Sequence, residues 1–197
     1  MHRKAGVACM VIGIVLLIAA MGLLAYNRWD NRRAGQAVAD IQDALQTAEE
    51  EDLTFDDDIS EDGEMDTLEL DGYEYIGTLS IPNFGLELPV MAEWSYPGLK
   101  VAPGRYTGSV QTDDMVICGH NYERHFGNLK NLEAGDTIVF TDVNGNVYEY
   151  QVKEVMILQP ADVEEMAERS AGEWELTLFT CTIGGQARVT VRCSRSG

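Results

Sequence analysis

From Tyr73 to the C-terminus, turn residues cut the chain into short apolar runs, a pattern that fits strands and leaves little room for helices. The runs are 75–82 (YIGTLSIP), 86–91, 114–119 (DMVICG), 136–141, 147–158, 175–181 and 187–193. Asn83-Phe84-Gly85 separates the first two, and Asp142-Val143-Asn144-Gly145 is a hairpin signal before the alternating Tyr148, Tyr150 and Val152. One short helix is expected over 160–169, with Asp162 as its cap and Val163, Met166 and Ala167 on one face. Many short strands with one or two helices predict a mainly β fold, a closed barrel or a sandwich. A hydrophobic content of 45% is enough to fill its core.

Upstream of Tyr73 the composition changes twice. Residues 5–26 carry no charge, and at 1.5 Å per residue such a helix is about 33 Å long, enough to cross a bilayer core. A cleaved signal peptide would have a shorter apolar region and a small-x-small exit, which Gly22-Leu23-Leu24-Ala25-Tyr26-Asn27 does not offer. An uncleaved transmembrane helix over 5–26 is therefore expected. Arg3 and Lys4 precede it, while Arg28, Arg32 and Arg33 follow, so basic residues alone leave its orientation open. Val38, Ile41, Leu45 and Ala48 recur at helical spacing and predict a helical stalk over 27–51.

The stretch 49–74 contains no Lys or Arg among its many carboxylates, which repel one another, and 52–72 is expected to be an acidic linker. Within it, Asp58, Ser60, Asp62, Gly63, Asp66 and Glu69 match positions 1, 3, 5, 6, 9 and 12 of a calcium loop. Carboxylates are so dense here that a chance match is the simpler reading, and no metal site is assigned. The whole chain has 14 Lys+Arg against 33 Asp+Glu, a net charge of −19. That field is opposite to the one a nucleic-acid binder needs to displace counterions from phosphates.

The chemistry points to the last hairpin. Gly184-Gly185 can supply the positive φ values of a tight turn, and if they are its centre, Thr182 faces Ala187 and Cys181 faces Arg188. Facing side chains lie on one side of the sheet with Cβ atoms about 4.5–5.5 Å apart. A thiol and a guanidinium would then sit together at a strand end, where the cation stabilises a thiolate or a developing oxyanion. Arg192 shares the strand parity of Arg188 but lies deeper along the strand. A cysteine nucleophile also needs a proton carrier. His120 ends an apolar strand, which favours it over His125 in the following loop and over His2 at the N-terminus. Cys193 is on the opposite strand face from Arg188 and is expected in the core. Cys118 shares the parity of His120 and could approach Cys181, as a buried small hydrophobe or as a disulfide partner.

At these residues the sequence resembles the sortases, membrane-anchored cysteine transpeptidases of Gram-positive cell surfaces. Thr177-Leu178-Phe179-Thr180-Cys181 has the form T-L-x-T-C, and Gly119-His120-Asn121 is similar to the segment that carries the sortase histidine. Arg188 opens Arg-Val-Thr-Val-Arg in the place of the sortase arginine, and 76–82 with 86–90 resembles the family's first strands. The resemblance covers about 73–193 and implies a closed sortase-like β-barrel with Cys181, His120 and Arg188 as catalytic residues. Cys181 would attack an LPXTG-like sorting signal of a secreted protein, His120 would protonate the leaving amine, and Arg188 would hold the oxyanion or orient the substrate backbone. An amine of a peptidoglycan precursor or a pilin would release the thioacyl-enzyme. Thr180 is implied to line the substrate site through its hydroxyl or its backbone, 159–174 corresponds to the loop that selects the signal, and no cofactor is required.

The resemblance also implies a single-pass cell-membrane protein, with 1–4 cytoplasmic, 5–26 spanning the membrane and 73–197 as an extracellular catalytic domain. No second apolar span follows Cys193, and no segment reads as a substrate-mimicking lid, although Trp94-Ser95-Tyr96-Pro97-Gly98 could form a flap; both absences favour wall anchoring over pilin polymerisation. The alternatives are a pilin-polymerising sortase, a hydrolase, or a non-catalytic, membrane-tethered, calcium-responsive binding module.

Overall fold

The computed structural model describes residues 10–26, 28–29, 41, 65–159, 161–162, 174–182 and 184–196. The chain divides into two units, Met1–Arg33 and Ala34–Gly197. In the first, residues 10–26 form a helix whose apolar side chains are exposed, among them Leu16, Leu17, Leu23 and Leu24. Among the described residues no helix is long and apolar enough to cross a membrane. The spanning helix expected over 5–26 is thus not shown. At 1.5 Å per residue the described helix is about 26 Å long, short of a bilayer core of about 30 Å.

The second unit is a closed β-barrel. Its strands are β1 Leu68–Leu70, β2 Tyr73–Ile81, β3 Leu86–Met91, β4 Gly104–Thr107, β5 Met115–Gly119, β6 Thr137–Asp142, β7 Val147–Leu158, β8 Leu176–Cys181 and β9 Arg188–Arg195. Hydrogen-bonded neighbours run β1-β2-β3-β4-β5-β8-β9-β7-β6, and β6 pairs back onto β2 to close a ring of eight strands, with β1 added outside it. The pairs β3–β4 and β5–β8 are parallel, and the rest are antiparallel. Closure removes the exposed edges that an open sheet of this length would carry.

Strand parity divides the side chains. Met115 and Ile117 of β5, Leu176 and Leu178 of β8, and Val189, Val191 and Cys193 of β9 point into the core with Phe140, Tyr150 and Ile76. The alternate residues Val116, Cys118 and Phe179 point outward into a second cluster with Leu99 and Leu158, flanked by Trp94, Tyr106 and Met156. Strands β5 and β8 are therefore covered on both faces, which accounts for their nearly continuous burial.

The domain begins earlier than its sequence boundary at Tyr73. Strand β1 lies within the expected linker, Met65 is buried in the core, and Ile41 of the expected stalk is buried against Tyr75, Met91 and Ala102. The expected helix over 160–169 falls outside the described residues apart from Ala161 and Asp162, whose carboxylate accepts a hydrogen bond from the Gln159 amide. The calcium-loop match over 58–69 is described only from Met65 onward, where Asp66 accepts a hydrogen bond from Asn144.

Ring closure passes through Gly77, which pairs with Val90 on one side and Asp142 on the other. Its φ is +149°, and an added Cβ would lie 2.1 Å from the Thr141 carbonyl oxygen. Gly77→Ala is expected to lower stability by at least about 2 kcal/mol in urea denaturation, because the clash is with backbone that is already paired. An unchanged midpoint would show that the barrel closes without this close approach.

Candidate active site

The last hairpin has the register that its glycines imply. Leu176 faces Cys193 and the rungs continue to Cys181 facing Arg188, with Gly184 and Gly185 at φ +89° and +71° in the turn. Beyond the last rung the Thr182 amide donates to Ala187, and the Gly185 amide donates to Thr182. The Arg188 guanidinium folds over this turn and donates to the carbonyls of Gly185 and Ala187, both at 3.2 Å. It is half-buried, so one side is held and the other remains accessible.

The third member arrives through the parallel pair. The final rung of β5 and β8 is Gly119 with Thr180, so the next residues, His120 and Cys181, leave their strands side by side. Their parity is that of Cys118 and Phe179, which puts both on the outer face, as it does for Arg188. Cys181, His120 and Arg188 are all half-buried at one end of the sheet. Adjacent strands are about 4.8 Å apart, so a thiol, an imidazole and a guanidinium share one small surface.

Thr180 faces the other way. Its side chain is on the inner parity of β8, only 2% exposed, and its hydroxyl donates to the Gly119 carbonyl at 2.8 Å. The structure thus places the residue expected to line the substrate site inside the barrel, where it ties β8 to β5 directly beneath the site. The cause is the two-residue period of a strand, which turns the neighbour of an outward Cys181 inward.

The other described cysteines, Cys118 and Cys193, behave as core groups. Cys193 is enclosed in the barrel and burial raises its thiol pKa. Burial likewise pushes the Cys118 thiol up to about 12, and a smaller contribution comes from the nearby Cys181. Cys118 and Cys181 are free thiols rather than a disulfide. Arg192, the deeper arginine, is buried with its guanidinium carbon 4.0 Å from the centre of the Trp174 ring.

The sequence reading did not anticipate two groupings of aromatic residues. The first is a row on the outer face: Tyr96 edge-on to Trp94, Trp94 stacked on Tyr106 at 5.7 Å, and Tyr106 edge-on to Phe179 at 5.4 Å. Phe179 is one outward position before Cys181, so the row leads to the thiol. Trp94, in the candidate flap, is tied to β4 by its amide, which donates to Arg105. The second set is Tyr122 and His125, in the loop after His120. The spacing of Phe179 and Cys181 could have revealed the first set. Nothing in the sequence pattern marks the second. Among the described residues no cluster of His, Cys, Asp and Glu could hold a metal ion.

The family model of the sortase domain matches residues 79–196. Sortase A of Bacillus anthracis is 32% identical over 123 residues, covering 60% of this chain and 57% of that protein. The chain therefore spans little more than half the length of that relative. Among solved structures, sortase A from Corynebacterium diphtheriae superposes with a TM-score of 0.57 at 25% identity, covering 64% of this chain and 62% of that one. The pilus-related sortase C of Group B Streptococcus gives 0.56 at 27% identity, covering 66% and 70%.

Near neutral pH, iodoacetamide is expected to modify Cys181 and spare Cys118 and Cys193, as read by peptide mass mapping; modification of Cys118 at a similar rate would contradict its burial. Stability should also fall in alkali. Burial, ahead of neighbouring charges, pushes Tyr75 and Tyr148 up to about 12, as it does Cys118. In the unfolded chain these groups ionise nearer about 8.5 for thiols and about 10 for phenols, so stability is full below that range and lost as pH rises towards about 12. Thermal melts across this window provide the check, and a flat profile would contradict it.

Proposed function

The chain belongs to the sortase family, and we propose that it is a membrane-anchored cysteine transpeptidase that cleaves an LPXTG-like sorting signal and transfers the protein to an amine of the cell wall precursor. The observation that carries this reading is the convergence of Cys181, His120 and Arg188 at one end of β5, β8 and β9. The Cys181 thiolate attacks the threonine carbonyl of the signal, and Arg188 holds the negative charge that develops on its oxygen. The C–N bond breaks as His120 gives a proton to the departing amine, leaving a thioester on Cys181. The acceptor amine then attacks the thioester, loses a proton to His120, and leaves as a new amide with the thiolate regenerated. No step calls for a metal or organic cofactor.

Residues 5–26 are proposed as the membrane anchor, with the N-terminus in the cytoplasm and the barrel outside. The exposure of apolar side chains all round the described helix supports this, since such a surface favours lipid. A pilin-polymerising function is the second reading. It is favoured by the pilus-related sortase C, which superposes about as well as the sortase A enzyme does. In that case a pilin lysine replaces the wall amine.

The test is transpeptidation by the whole chain in detergent, using a panel of LPXTG-like peptides with wall-precursor amines and lysine-bearing pilin peptides, read by mass spectrometry. Cys181→Ala is expected to abolish the new amide. His120→Ala is expected to lower kcat by about 10²–10⁴ and Arg188→Ala by about 10²–10³. Transfer to the pilin peptide alone would select the second reading. A folded protein that cleaves no peptide in the panel would count against both.

A further inference from the structure

The reaction above leaves unused a set of rings in the loop that follows β5. The Tyr122 ring lies 4.9 Å from the His120 ring, tilted by 40°, and 5.4 Å from the His125 ring, nearly edge-on at 66°. Tyr122 is half-buried, whereas His125 has no exposed surface. The three rings therefore run from the site inward to a fixed side chain.

The backbone of the loop explains why they meet. The Tyr122 carbonyl accepts hydrogen bonds from both the His125 amide at 3.0 Å and the Gly127 amide at 2.9 Å, which folds the chain back beneath Tyr122. A Cβ on Gly127 would lie 2.7 Å from that carbonyl, so only glycine lets the strands of the loop close. The Phe126 amide donates to the His120 carbonyl at 3.2 Å, and the Phe126 ring is fully buried against Gly119, where a Cβ would come within 2.6 Å of it. Both ends of the loop are thus fixed to the core. Tyr122 presents its ring to His120 from a frame that cannot easily shift.

We propose that Tyr122 is a positioning residue for His120, holding the imidazole in the rotamer that faces Cys181, with the buried His125 ring supporting Tyr122 from below. This rests on the reading of His120 as the general acid. A side chain just beyond a strand end can reach more rotamers than one within the sheet, and each excursion removes the proton donor from the leaving amine. An aromatic neighbour at this distance restricts the ring without using either of its nitrogens.

The test compares Tyr122→Leu, which removes the ring but keeps apolar bulk, with Tyr122→Phe, which keeps the ring, in the whole chain in detergent. Tyr122→Leu is expected to lower kcat about tenfold with KM within about twofold of the parent, while Tyr122→Phe stays within about twofold on both. The melting temperature of each variant is expected to match the parent, as suits a half-buried loop side chain. The His120 ring protons, followed by NMR of histidine-labelled protein, should lose a ring-current shift in Tyr122→Leu and keep it in Tyr122→Phe. An unchanged kcat in Tyr122→Leu would overturn the proposal, as would a rise in KM alone or equal losses in both variants. If the parent chain makes no product, the general-acid reading fails. The NMR comparison still decides whether Tyr122 holds His120, because it needs no turnover.

Discussion

The site depends on one rung, the parallel pairing of Gly119 with Thr180. Only this pairing brings the end of β5 beside the end of β8, and β5 and β8 are separated by two strands and a long connection in the chain. The rung is reinforced by the Thr180 hydroxyl, which donates to the Gly119 carbonyl inside the barrel, where water cannot compete. A slip of one residue would turn His120 inward, away from the face that carries Cys181. The hairpin sets the other half of the geometry, since Arg188 faces Cys181 whatever β5 does. A nonlocal contact and a local one thus deliver two different partners to the same thiol.

The same parity sorts the cysteines by chemistry. Cys118 is on the thiol's own face but lies under Phe179 and against Leu99 and Leu158, where burial keeps it protonated. Cys193 is on the inner face and is enclosed altogether. Cys181 emerges where the strands end and the covering cluster stops. Its special position is a matter of exposure and neighbours, since all three residues are thiols on adjacent strands.

How much of this was legible in the sequence follows the range of each interaction. The Cys181–Arg188 rung could be derived because two glycines fix the turn and a hairpin has no other register. Strands β2, β3, β5, β6, β7, β8 and β9 were legible because their apolar runs have Gly, Pro, Asn or Asp within three residues of one end or the other. Strand β4 was missed because Gly-Arg-Tyr-Thr has no alternation to read, and it is held by Met91 of β3 and by β5 rather than by its own sequence. Strand β1 was missed because two leucines in a field of carboxylates resemble linker until β2 pairs with them. The face of Thr180 was available from parity alone: if Cys181 is outward, Thr180 is inward. The resemblance to a motif in which both residues are named together hid that inference.

The proximity of His120 to Cys181 could not be read from the sequence at all, because 61 positions separate the two and no local rule relates them. What fixes His120 is tertiary at two levels: the β5–β8 rung places its backbone, and the loop beyond it determines where its ring can go. That loop is pinned to the core by Phe126 and folded by the Tyr122 carbonyl, so its rigidity is borrowed from the barrel. A proton donor set on a strand alone would point in a direction fixed by the sheet, and one set on a free loop would be too mobile to act. His120 sits at the junction, one residue beyond β5 with the Tyr122 ring 4.9 Å from its own, a placement that would suit the general-acid role proposed for it.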